Sequence, residues 1–417
     1  GQKTTAGASK SLTCWSRKPG PTCCLSCSPR DSFSNKNKQT VDTSRLFIDG
    51  NEAVARAALS SGCTFFAGYP ITPATTIYQH MLELLPPNGG ICLQGEDEIA
   101  SIGFCIGASM AGLKVMTATS GPGISLFSEH ISFAIGGEIP LVIIDVQRLG
   151  PSTGSATKGA DSDIQFLRWG NSGGLPVIVL APSDSADCYN LTCHAFNLAE
   201  RYRCPVFLAS NKEIGMTREV IDETALAEIA PLHRTGYEAN DAVTSYQPFA
   251  PDADSLVPPF LPLGGKTLVR QTSSSHGPDG FITSEPELLE NGIRRIRDKL
   301  LDDRDVLSYH RLDTDPEADI LLIVYGVTAR AAKDAVRILR GRSYRVSLLM
   351  LQTLYPVPEK LLRKEISKVS RVIVVEMNLG HYVREIERMS DAIEVEFLGK
   401  MNGELISPEE IVGVIES

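Results

Sequence analysis

The chain has 417 residues, of which 42% are hydrophobic and 22% charged, and its formal net charge is -10. This length predicts about two or three domains, and the sequence contains no run of about 18 apolar residues that would predict a membrane-spanning helix. Because binding to phosphate backbones depends on basic surface, the acidic balance argues against nucleic acid as a partner.

Residues 1–44 are predicted to form a disordered basic tail, because this segment is rich in Ser, Thr and Lys and has no regular apolar periodicity. Its composition also resembles a transit segment. A metal or iron–sulfur site at Cys23, Cys24 and Cys27 stays open, although unligated thiols are the favoured interpretation. The cysteines after residue 45 are scattered, several of them in apolar surroundings, which is typical of free thiols in a reducing compartment. We therefore predict a cytoplasmic protein.

Strands and helices alternate along residues 45–232. Apolar runs predict strands at 64–67, 91–94, 114–119, 141–146, 175–181 and 205–209. Helical spacing predicts helices at 51–59, 74–85, 96–111, 124–135 and 183–202. Because the strands are nearly unbroken apolar runs, we predict an α/β domain with a doubly wound parallel sheet that is covered by helices on both faces.

The region 233–317 departs from this pattern. It is rich in Pro and Gly, so we predict an irregular connector that ends in a helix at 285–301. A second and smaller α/β domain is predicted for residues 318–417. Its strands are expected at 320–325, 345–350 and 371–376, and its helices at 328–340 and 358–367.

An acidic cluster opens the predicted helix at 96–111. Glu96, Asp97 and Glu98 are followed by small residues that include Gly103 and Gly107, so the helix can approach another body closely. Acids in a first helical turn stabilise a helix by about 0.3–1 kcal/mol through its dipole, and this ordinary explanation stays open. It does not account for the face of small residues, which is why we also consider Glu98 as a functional acid.

A Ser-Gly-Pro-Gly turn, residues 120–123, follows the predicted strand 114–119. Such a turn presents backbone N–H groups to a ligand, and Gly allows close approach of the backbone. Its place at the carboxyl end of a parallel strand is where ligands bind in such sheets. An ordinary strand–helix turn is the alternative.

These segments belong to a larger set of motifs that occur in a fixed order. The set is Gly-Tyr-Pro-Ile-Thr-Pro at 68–73, Glu-Asp-Glu-Ile at 96–99, Thr-Ala-Thr-Ser-Gly-Pro-Gly at 117–123, Gln-Arg-Leu-Gly-Pro-Ser-Thr-Gly at 147–154, Tyr-Gly at 325–326, Leu-Tyr-Pro-Val-Pro at 354–358 and Val-Glu-Met-Asn-Leu-Gly at 375–380. Together they resemble the alpha subunit of 2-oxoacid:ferredoxin oxidoreductases, most of all the 2-oxoglutarate type. The resemblance covers about residues 45–417.

The resemblance implies the reaction and the folds of both domains. A 2-oxoacid, with 2-oxoglutarate favoured over pyruvate or branched-chain 2-oxoacids, would be decarboxylated oxidatively with coenzyme A to acyl-CoA, CO2 and reduced ferredoxin, reversibly. The domain at 45–232 would bind the pyrimidine of thiamine diphosphate. The domain at 318–417 would resemble the C-terminal domain of transketolase.

The resemblance also implies the site residues. Glu98 would be the catalytic acid, because a carboxyl hydrogen-bonded to N1′ of the pyrimidine favours the imino form that removes the thiazolium C2 proton. Thr72 and Arg148 would bind the substrate carboxylate. The residues around the cofactor would be Pro70, Ile71, Thr72, Glu98, Thr119, Ser120 and Gly121. From the sequence alone, Thr72 could instead cap the helix at 74–85, and Arg148 could be a solvated loop arginine.

Two features leave the 2-oxoacid open. Leu149 stands where similar sequences of the 2-oxoglutarate type have Gly, and the segment 155–161 is less typical of that type. Lys158 could bind a distal carboxylate, although a surface lysine is the favoured interpretation.

The sequence resembles only half of an active site. It has no Gly-Asp-Gly motif for a Mg²⁺-bound diphosphate and no regular cysteine set for a [4Fe–4S] cluster after residue 45, so we predict no metal ligands in this chain. A beta subunit would supply both, in a dimer of heterodimers that reduces ferredoxin. A non-catalytic subunit and a single-chain transferase resembling acetolactate synthase are the alternatives.

Overall fold

Three β-sheets form the framework in the computed structural model, which describes residues 45–238, 246–390 and 393–417. These residues belong to one compact unit, Thr43–Ser417. The predicted tail at 1–44 and its cysteines lie outside the described residues. Within the described ranges, no helix combines the length and the apolar composition that crossing a bilayer requires.

The first part of the chain contains the larger sheet and its helices. Its elements are β1 (Arg45–Ile48), α1 (Gly50–Ser60), β2 (Phe65–Gly68), α2 (Thr75–Leu84), β3 (Ile91–Gln94), α3 (Glu98–Met110), β4 (Val115–Thr119), α4 (Pro122–Leu126), α5 (Ser128–Gly136), β5 (Leu141–Gln147), α6 (Ile164–Trp169), β6 (Ile178–Leu180), α7 (Ser185–Tyr202), β7 (Pro205–Asn211), α8 (Lys212–Met216) and β8 (Glu219–Asp222).

The second part follows an irregular segment. Its elements are α9 (Pro286–Leu301), β9 (His310–Asp313), β10 (Ile320–Tyr325), α10 (Thr328–Gly341), β11 (Val346–Leu351), β12 (Thr353–Tyr355), α11 (Glu359–Ile366), β13 (Arg371–Glu376), α12 (Val383–Glu387), β14 (Val395–Gly399) and α13 (Pro408–Glu416).

The larger sheet has seven strands in the order β12-β6-β7-β5-β4-β2-β3. All neighbours are parallel except β12, which pairs antiparallel with β6. The predicted doubly wound parallel sheet is therefore confirmed. The chain moves outward from β2 to β3 and then returns to β4 on the other side of β2. The strand order thus reverses at β2 and β4, and such a reversal opens a crevice at the carboxyl ends of the two strands.

The smaller sheet has five strands in the order β14-β13-β10-β11-β9, and only β9 is antiparallel. Its order reverses between β10 and β13. Strand β12 of the C-terminal region joins the larger sheet and not the smaller one. The domain boundaries that the sequence predicts stay a prediction.

Two hydrophobic clusters pack against opposite faces of the larger sheet. On β5, Val142, Ile144 and Val146 belong to one cluster, while Leu141 and Ile143 belong to the other. This alternation follows from the period of two in a strand, and it shows why both faces need apolar side chains. The strands are apolar without interruption because successive side chains point to opposite faces of the sheet, and both faces are covered.

Several elements differ from the sequence-based expectation. The helix expected at 124–135 is divided at Phe127 into α4 and α5. The helix expected at 96–111 begins only at Glu98, because the Asp97 side chain accepts the backbone N–H of Ala100 at 2.7 Å and caps the helix there.

Some short elements were not expected from the sequence. They are the edge strands β8, β9, β12 and β14 and the short helices α6, α8 and α12, which are stabilised by pairing and packing with distant segments. The C-terminal helix α13 was not expected either, although Ser407 and Glu410 form a capping box at its start.

A buried ion cluster fixes helix α9 and the connector to the larger sheet. The carboxylate of Glu138 is fully buried, and it accepts from Lys299 Nζ at 2.8 Å and from Arg295 Nη1 at 2.9 Å. Burial by itself would raise the pKa of Glu138, but Lys299, Arg295 and Arg203 overcome this effect and lower it to about 2. Arg203 also donates to the carbonyl of Pro258 at 2.9 Å. The cluster therefore holds irregular backbone that has no sheet or helix of its own.

We predict that Glu138→Gln lowers the free energy of unfolding by about 3–5 kcal/mol, because it leaves buried cations without their carboxylate. Urea denaturation of the full chain at pH 7 measures this loss. Since the folded pKa is lowered, the stabilisation is present above the unfolded pKa of 4.5 and is lost as the pH falls toward 2. The control is Glu290→Gln, which breaks an exposed pair with Arg294 on the same helix and should change little. Equal effects of the two variants would contradict the assignment.

Candidate active site at the carboxyl edge of the larger sheet

Four loops meet at the crevice where the strand order reverses. Thr72 follows β2, Glu98 follows β3, Ser120 follows β4 and Arg148 follows β5. Because the carboxyl ends of parallel strands lie at one edge of a sheet, residues 76 positions apart become neighbours there: Arg148 Nη1 donates to the carbonyl of Thr72 at 2.5 Å. The structure thus brings the residues predicted from separate motifs into one region.

Glu98 lies at the first position of α3 and is only 8% exposed. It packs against the turn after β4, since a Cβ atom added to Gly123 would lie 2.9 Å from Glu98 Cγ and 2.0 Å from Thr119 Oγ1. Glycine is needed at position 123 because any larger side chain would occupy the space of the Glu98 carboxyl and the Thr119 hydroxyl.

Three hydroxyl groups without hydrogen-bond partners lie on β4 and on the turn after it, where Glu98 packs. Thr117, Thr119 and Ser120 are fully buried, and none of their side-chain oxygens has a hydrogen-bond partner in the described part of the chain. Buried polar groups are nearly always hydrogen-bonded in native proteins. Unpaired hydroxyls on the last residues of β4 and on the turn after it therefore indicate a site for a polar ligand or ordered water.

Arg148 is 4% exposed and crosses the mouth of the crevice. Its Nε atom is buried without a partner, and a Cβ atom added to Gly121 would lie 3.5 Å from Arg148 Nε and Cγ. Burial lowers the pKa of Arg148, while the charges of Asp163 and Glu98 oppose that shift. A guanidinium is charged at neutral pH in proteins, and the buried Nε donor of Arg148 is one that an anion in the crevice would satisfy. The solvated arginine considered as an alternative is therefore wrong.

Two carboxyl groups of this region were missed by the sequence analysis. Asp145 is fully buried inside β5, opposite Thr119 on β4. Neither of its oxygens forms a well-aligned hydrogen bond among the described residues, although the backbone N–H of Gly121 lies close enough to oppose the rise of its pKa. Burial and then the charge of Asp163 raise its pKa well above the usual value. Burial likewise raises the pKa of Asp163 to about 6, and Arg148 opposes that shift. An acid inside an otherwise apolar strand was the signal that could have identified Asp145.

The remaining predicted residues lie on the loop after β2. Pro70 and Ile71 are half-buried and Thr72 is exposed. Helix α2 begins at Thr75, and its N-cap, Ala74, makes no side-chain capping bond. Thr72 is therefore not a cap, and that alternative is wrong. The backbone carbonyl of Thr72 is the group that contacts Arg148.

The loop that joins β5 to α6, residues 148–163, is called the Arg148 loop below. Leu149 N–H donates to the carbonyl of Lys158 at 2.8 Å, which closes the loop on itself. Lys158 is exposed, and a Cβ atom added to Gly403 would lie 2.8 Å from Lys158 Cβ. The stem of Lys158 therefore packs on the segment after β14, as expected for a surface lysine.

The donor set fits the aminopyrimidine end of a cofactor. Glu98 offers a carboxyl, and Thr119 offers an unpaired hydroxyl near it across Gly123. Thr117 and Ser120, on the same strand and turn, add two further unpaired hydroxyls. Such groups match a ring with several nitrogen donors and acceptors. Apart from Arg148, a fixed cation that would match a diphosphate is not found among these groups.

We predict that Gly123→Ala lowers the free energy of unfolding by about 1–3 kcal/mol, because the added methyl group displaces Thr119 and Glu98. The matched control is Gly107→Ala on α3, where an added Cβ atom meets nothing within 4 Å. This control should be neutral or stabilising, since alanine favours a helix over glycine. Urea denaturation of both variants measures the difference, and an unchanged Gly123→Ala protein would contradict the close approach.

Comparison with known proteins gives a consistent result. A family model described as "Pyruvate flavodoxin/ferredoxin oxidoreductase, thiamine diP-bdg" matches residues 56–292, and the model of the pyruvate:ferredoxin oxidoreductase core domain II matches residues 318–411. The 2-oxoglutarate synthase subunit KorA of Methanothermobacter marburgensis is 41% identical over 89% of this chain and 99% of its own length. The ketoisovalerate oxidoreductase subunit VorB of Methanothermobacter thermautotrophicus is 32% identical over 88% of this chain and 95% of its own.

A solved structure agrees with these relatives. The 2-oxoglutarate:ferredoxin oxidoreductase from Magnetococcus marinus, with 2-oxoglutarate, coenzyme A and succinyl-CoA bound, superimposes with a TM-score of 0.82 at 31% identity. The match covers 89% of this chain and 65% of that chain, so this chain spans just under two thirds of its length. The chain belongs to the pyruvate flavodoxin/ferredoxin oxidoreductase family.

Proposed function

We propose that this chain is the alpha subunit of a thiamine-diphosphate-dependent 2-oxoacid:ferredoxin oxidoreductase that acts on 2-oxoglutarate with coenzyme A. The observation that carries the proposal is the convergence of Glu98, the unpaired hydroxyls of Thr119 and Ser120, and Arg148 at one crevice. An acid, a polar pocket and a cation in this arrangement suit an aminopyrimidine beside a small carboxylate.

The cofactor would be held by the residues that the sequence motifs named. Pro70, Ile71 and Thr72 would form one wall, and Thr119, Ser120 and Gly121 the other. Thiamine diphosphate, when bound, supplies an electron sink for the decarboxylation of a 2-oxoacid. Glu98 would hold a proton at N1′ of the pyrimidine. Its close packing against Gly123 would restrict the positions that the carboxyl can take.

The substrate carboxylate would be bound by Arg148, with the Thr72 side chain beside it. Arg148 has a buried and unpartnered Nε atom, and guanidinium geometry matches a carboxylate. The contact with the Thr72 carbonyl orients the guanidinium across the mouth of the crevice. A mobile arginine would lose more side-chain freedom on binding, so this contact favours affinity.

The face around α3 supports a partner subunit. Ile91 and Leu93 of the edge strand β3 and Ile99 and Phe104 of α3 are each 39–48% exposed, although they are large and apolar. Exposed apolar edge strands are normally covered in native proteins. A beta subunit that docks here would supply Mg²⁺, the diphosphate contacts and a [4Fe–4S] cluster that reduces ferredoxin, in a dimer of heterodimers. Glu98, buried beside this face, counts against a non-catalytic role.

The choice of 2-oxoglutarate rests on the relatives, since the 41% identical one is named a 2-oxoglutarate synthase subunit. The 32% identical one is named a ketoisovalerate oxidoreductase subunit, so branched 2-oxoacids are the alternative. We place the protein in the cytoplasm, because the six described cysteines are free thiols.

The test is to purify the chain alone and co-expressed with the beta subunit. Dye or ferredoxin reduction is then measured with 2-oxoglutarate, pyruvate and 3-methyl-2-oxobutanoate, each with coenzyme A. We expect activity only in the complex, with the highest kcat/KM for 2-oxoglutarate. Robust turnover by the chain alone would overturn the need for a partner, and no turnover with any 2-oxoacid would overturn the function.

We predict that Glu98→Gln lowers kcat of the complex at least about a hundredfold, because the amide cannot exchange a proton with the pyrimidine. The matched control is Glu96→Gln, an exposed acid two positions away, which should retain full activity. Steady-state kinetics and circular dichroism of both variants separate catalysis from folding. Near-normal turnover by Glu98→Gln would refute its role.

We predict that Arg148→Ala weakens 2-oxoacid binding by about 1.5–3 kcal/mol, the contribution of one charge-assisted contact. This loss corresponds to an apparent KM that is about ten- to hundredfold higher. The control is Arg337→Ala, which removes an exposed arginine of α10. If the KM for the 2-oxoacid were the same in Arg148→Ala and the control, Arg148 would not bind the carboxylate.

A further inference from the structure

The crevice at the reversal point of the smaller sheet, between β10 and β13, is filled by the chain itself. Asp161 of the Arg148 loop donates its backbone N–H to the carbonyl of Met377 at 2.9 Å. Asn378 Nδ2 in turn donates to the carbonyl of Asp161 at 2.9 Å. Both partners lie directly after β13. A peptide unit of one sheet's loop therefore occupies the place where ligands bind in open α/β sheets.

The side chain of Asp161 is built into this crevice. The residue is 2% exposed, and its Oδ1 atom accepts from Asn211 Nδ2 at the end of β7 at 2.8 Å. Its Oδ2 atom faces Gly326, which follows β10, and an added Cβ atom there would lie 3.0 Å away. Gly326 has a φ of 60°, so glycine is favoured for its backbone as well as for the space that Asp161 needs.

The docked residue is connected to Arg148 through short links. The neighbour of Asp161, Ser162, donates its hydroxyl to the carbonyl of Arg148 at 3.2 Å. Asp163 N–H donates to Gln147 Oε1 at 2.9 Å, next to Arg148 in the chain. A shift of Asp161 therefore moves the backbone from which the Arg148 side chain extends.

We propose that Asp161 is a positioning residue, which docks the Arg148 loop on the smaller sheet and so places Arg148 for the substrate carboxylate. The effect on substrate rests on the proposed function, whereas the docking itself does not. The smaller sheet thereby acquires a role in the reaction, because its crevice holds a loop of the active site in place of a ligand.

The surroundings of Asp161 make the docking sensitive to pH. Its carboxyl is faced by Asn211 from β7, by Tyr325 and Glu376 from the smaller sheet and by Asp163 from its own loop. Burial raises the pKa of Asp161 to about 7, Asn211 opposes this shift, and Glu376 and Asp163 add to it. Well below pH 7 the carboxyl is mostly neutral. Above pH 7 a charge without a partner on Oδ2 is buried beside two other acids, so the docking weakens.

The docking is tested by hydrogen–deuterium exchange of the full chain, which needs no activity. We expect Asp161→Ala and Gly326→Ala to speed exchange of the amides in the Arg148 loop about tenfold or more. Asp161→Asn keeps the Asn211 contact and should protect the loop as the wild type does at pH 6. The control is Gly413→Ala on α13, where an added Cβ atom meets nothing within 4 Å. Unchanged loop exchange in both Asp161→Ala and Gly326→Ala would overturn the docking.

The positioning role is tested by kinetics of the complex with its beta subunit. For Asp161→Ala we expect the KM for the 2-oxoacid to rise about tenfold while kcat changes less than about threefold, since only the placement of a binding group is lost. The wild-type KM should rise between pH 6 and pH 8, and Asp161→Asn should abolish that rise.

An equal fall in kcat and kcat/KM, or the same pH profile of KM in Asp161→Asn as in the wild type, would overturn the positioning role. If the wild-type complex turned over no 2-oxoacid, the proposed function would fail, while the exchange experiment would still decide the docking.

Discussion

The parallel order of the larger sheet is the constraint on which the rest of the structure depends. Because its strands run in one direction, the loops after β2, β3, β4 and β5 leave at one edge. The reversal at β2 and β4 separates their loops and opens a crevice between them. Residues that are distant in sequence, such as Thr72 and Arg148, come into hydrogen-bonding distance there. The site is thus a consequence of strand direction, and the individual side chains only determine its chemistry.

Several buried polar groups at this edge of the larger sheet lack the partners that compensate buried charge elsewhere, as around Glu138. Glu138 is equally buried, yet two cations bind its carboxylate and lower its pKa. The pKa of Asp145 is instead raised by burial and by the charge of Asp163, against the backbone N–H of Gly121. The hydroxyl of Thr119 has no partner among the described residues. A buried carboxyl that is paired stabilises a fold, whereas unpaired ones are costly and persist where a ligand or a reaction uses them.

The smaller sheet contacts the candidate site through the Arg148 loop, which follows a strand of the larger sheet. Its reversal point receives Asp161, while Lys158 packs on the segment after β14. Two sheets that look independent in the sequence are therefore coupled at the Arg148 loop, and β12 joins them a second time by extending the larger sheet. This coupling gives the C-terminal region a structural role beside the larger sheet, since the loop that carries Arg148 contacts the smaller sheet as well.

By itself, the sequence determined the alternation of apolar strands and helices, the parallel sheet, and Glu98 and Arg148 as residues worth testing. The sheet and its cover follow from local patterns, because continuous apolar runs need cover on both faces. Glu98 and Arg148 were singled out by the family resemblance of the motifs that contain them. Only the tertiary structure decided the short edge strands, the burial of Asp145 opposite Thr119 and the docking of Asp161. Each of these depends on contacts between segments far apart in the chain, and no local pattern records which distant group will be a neighbour.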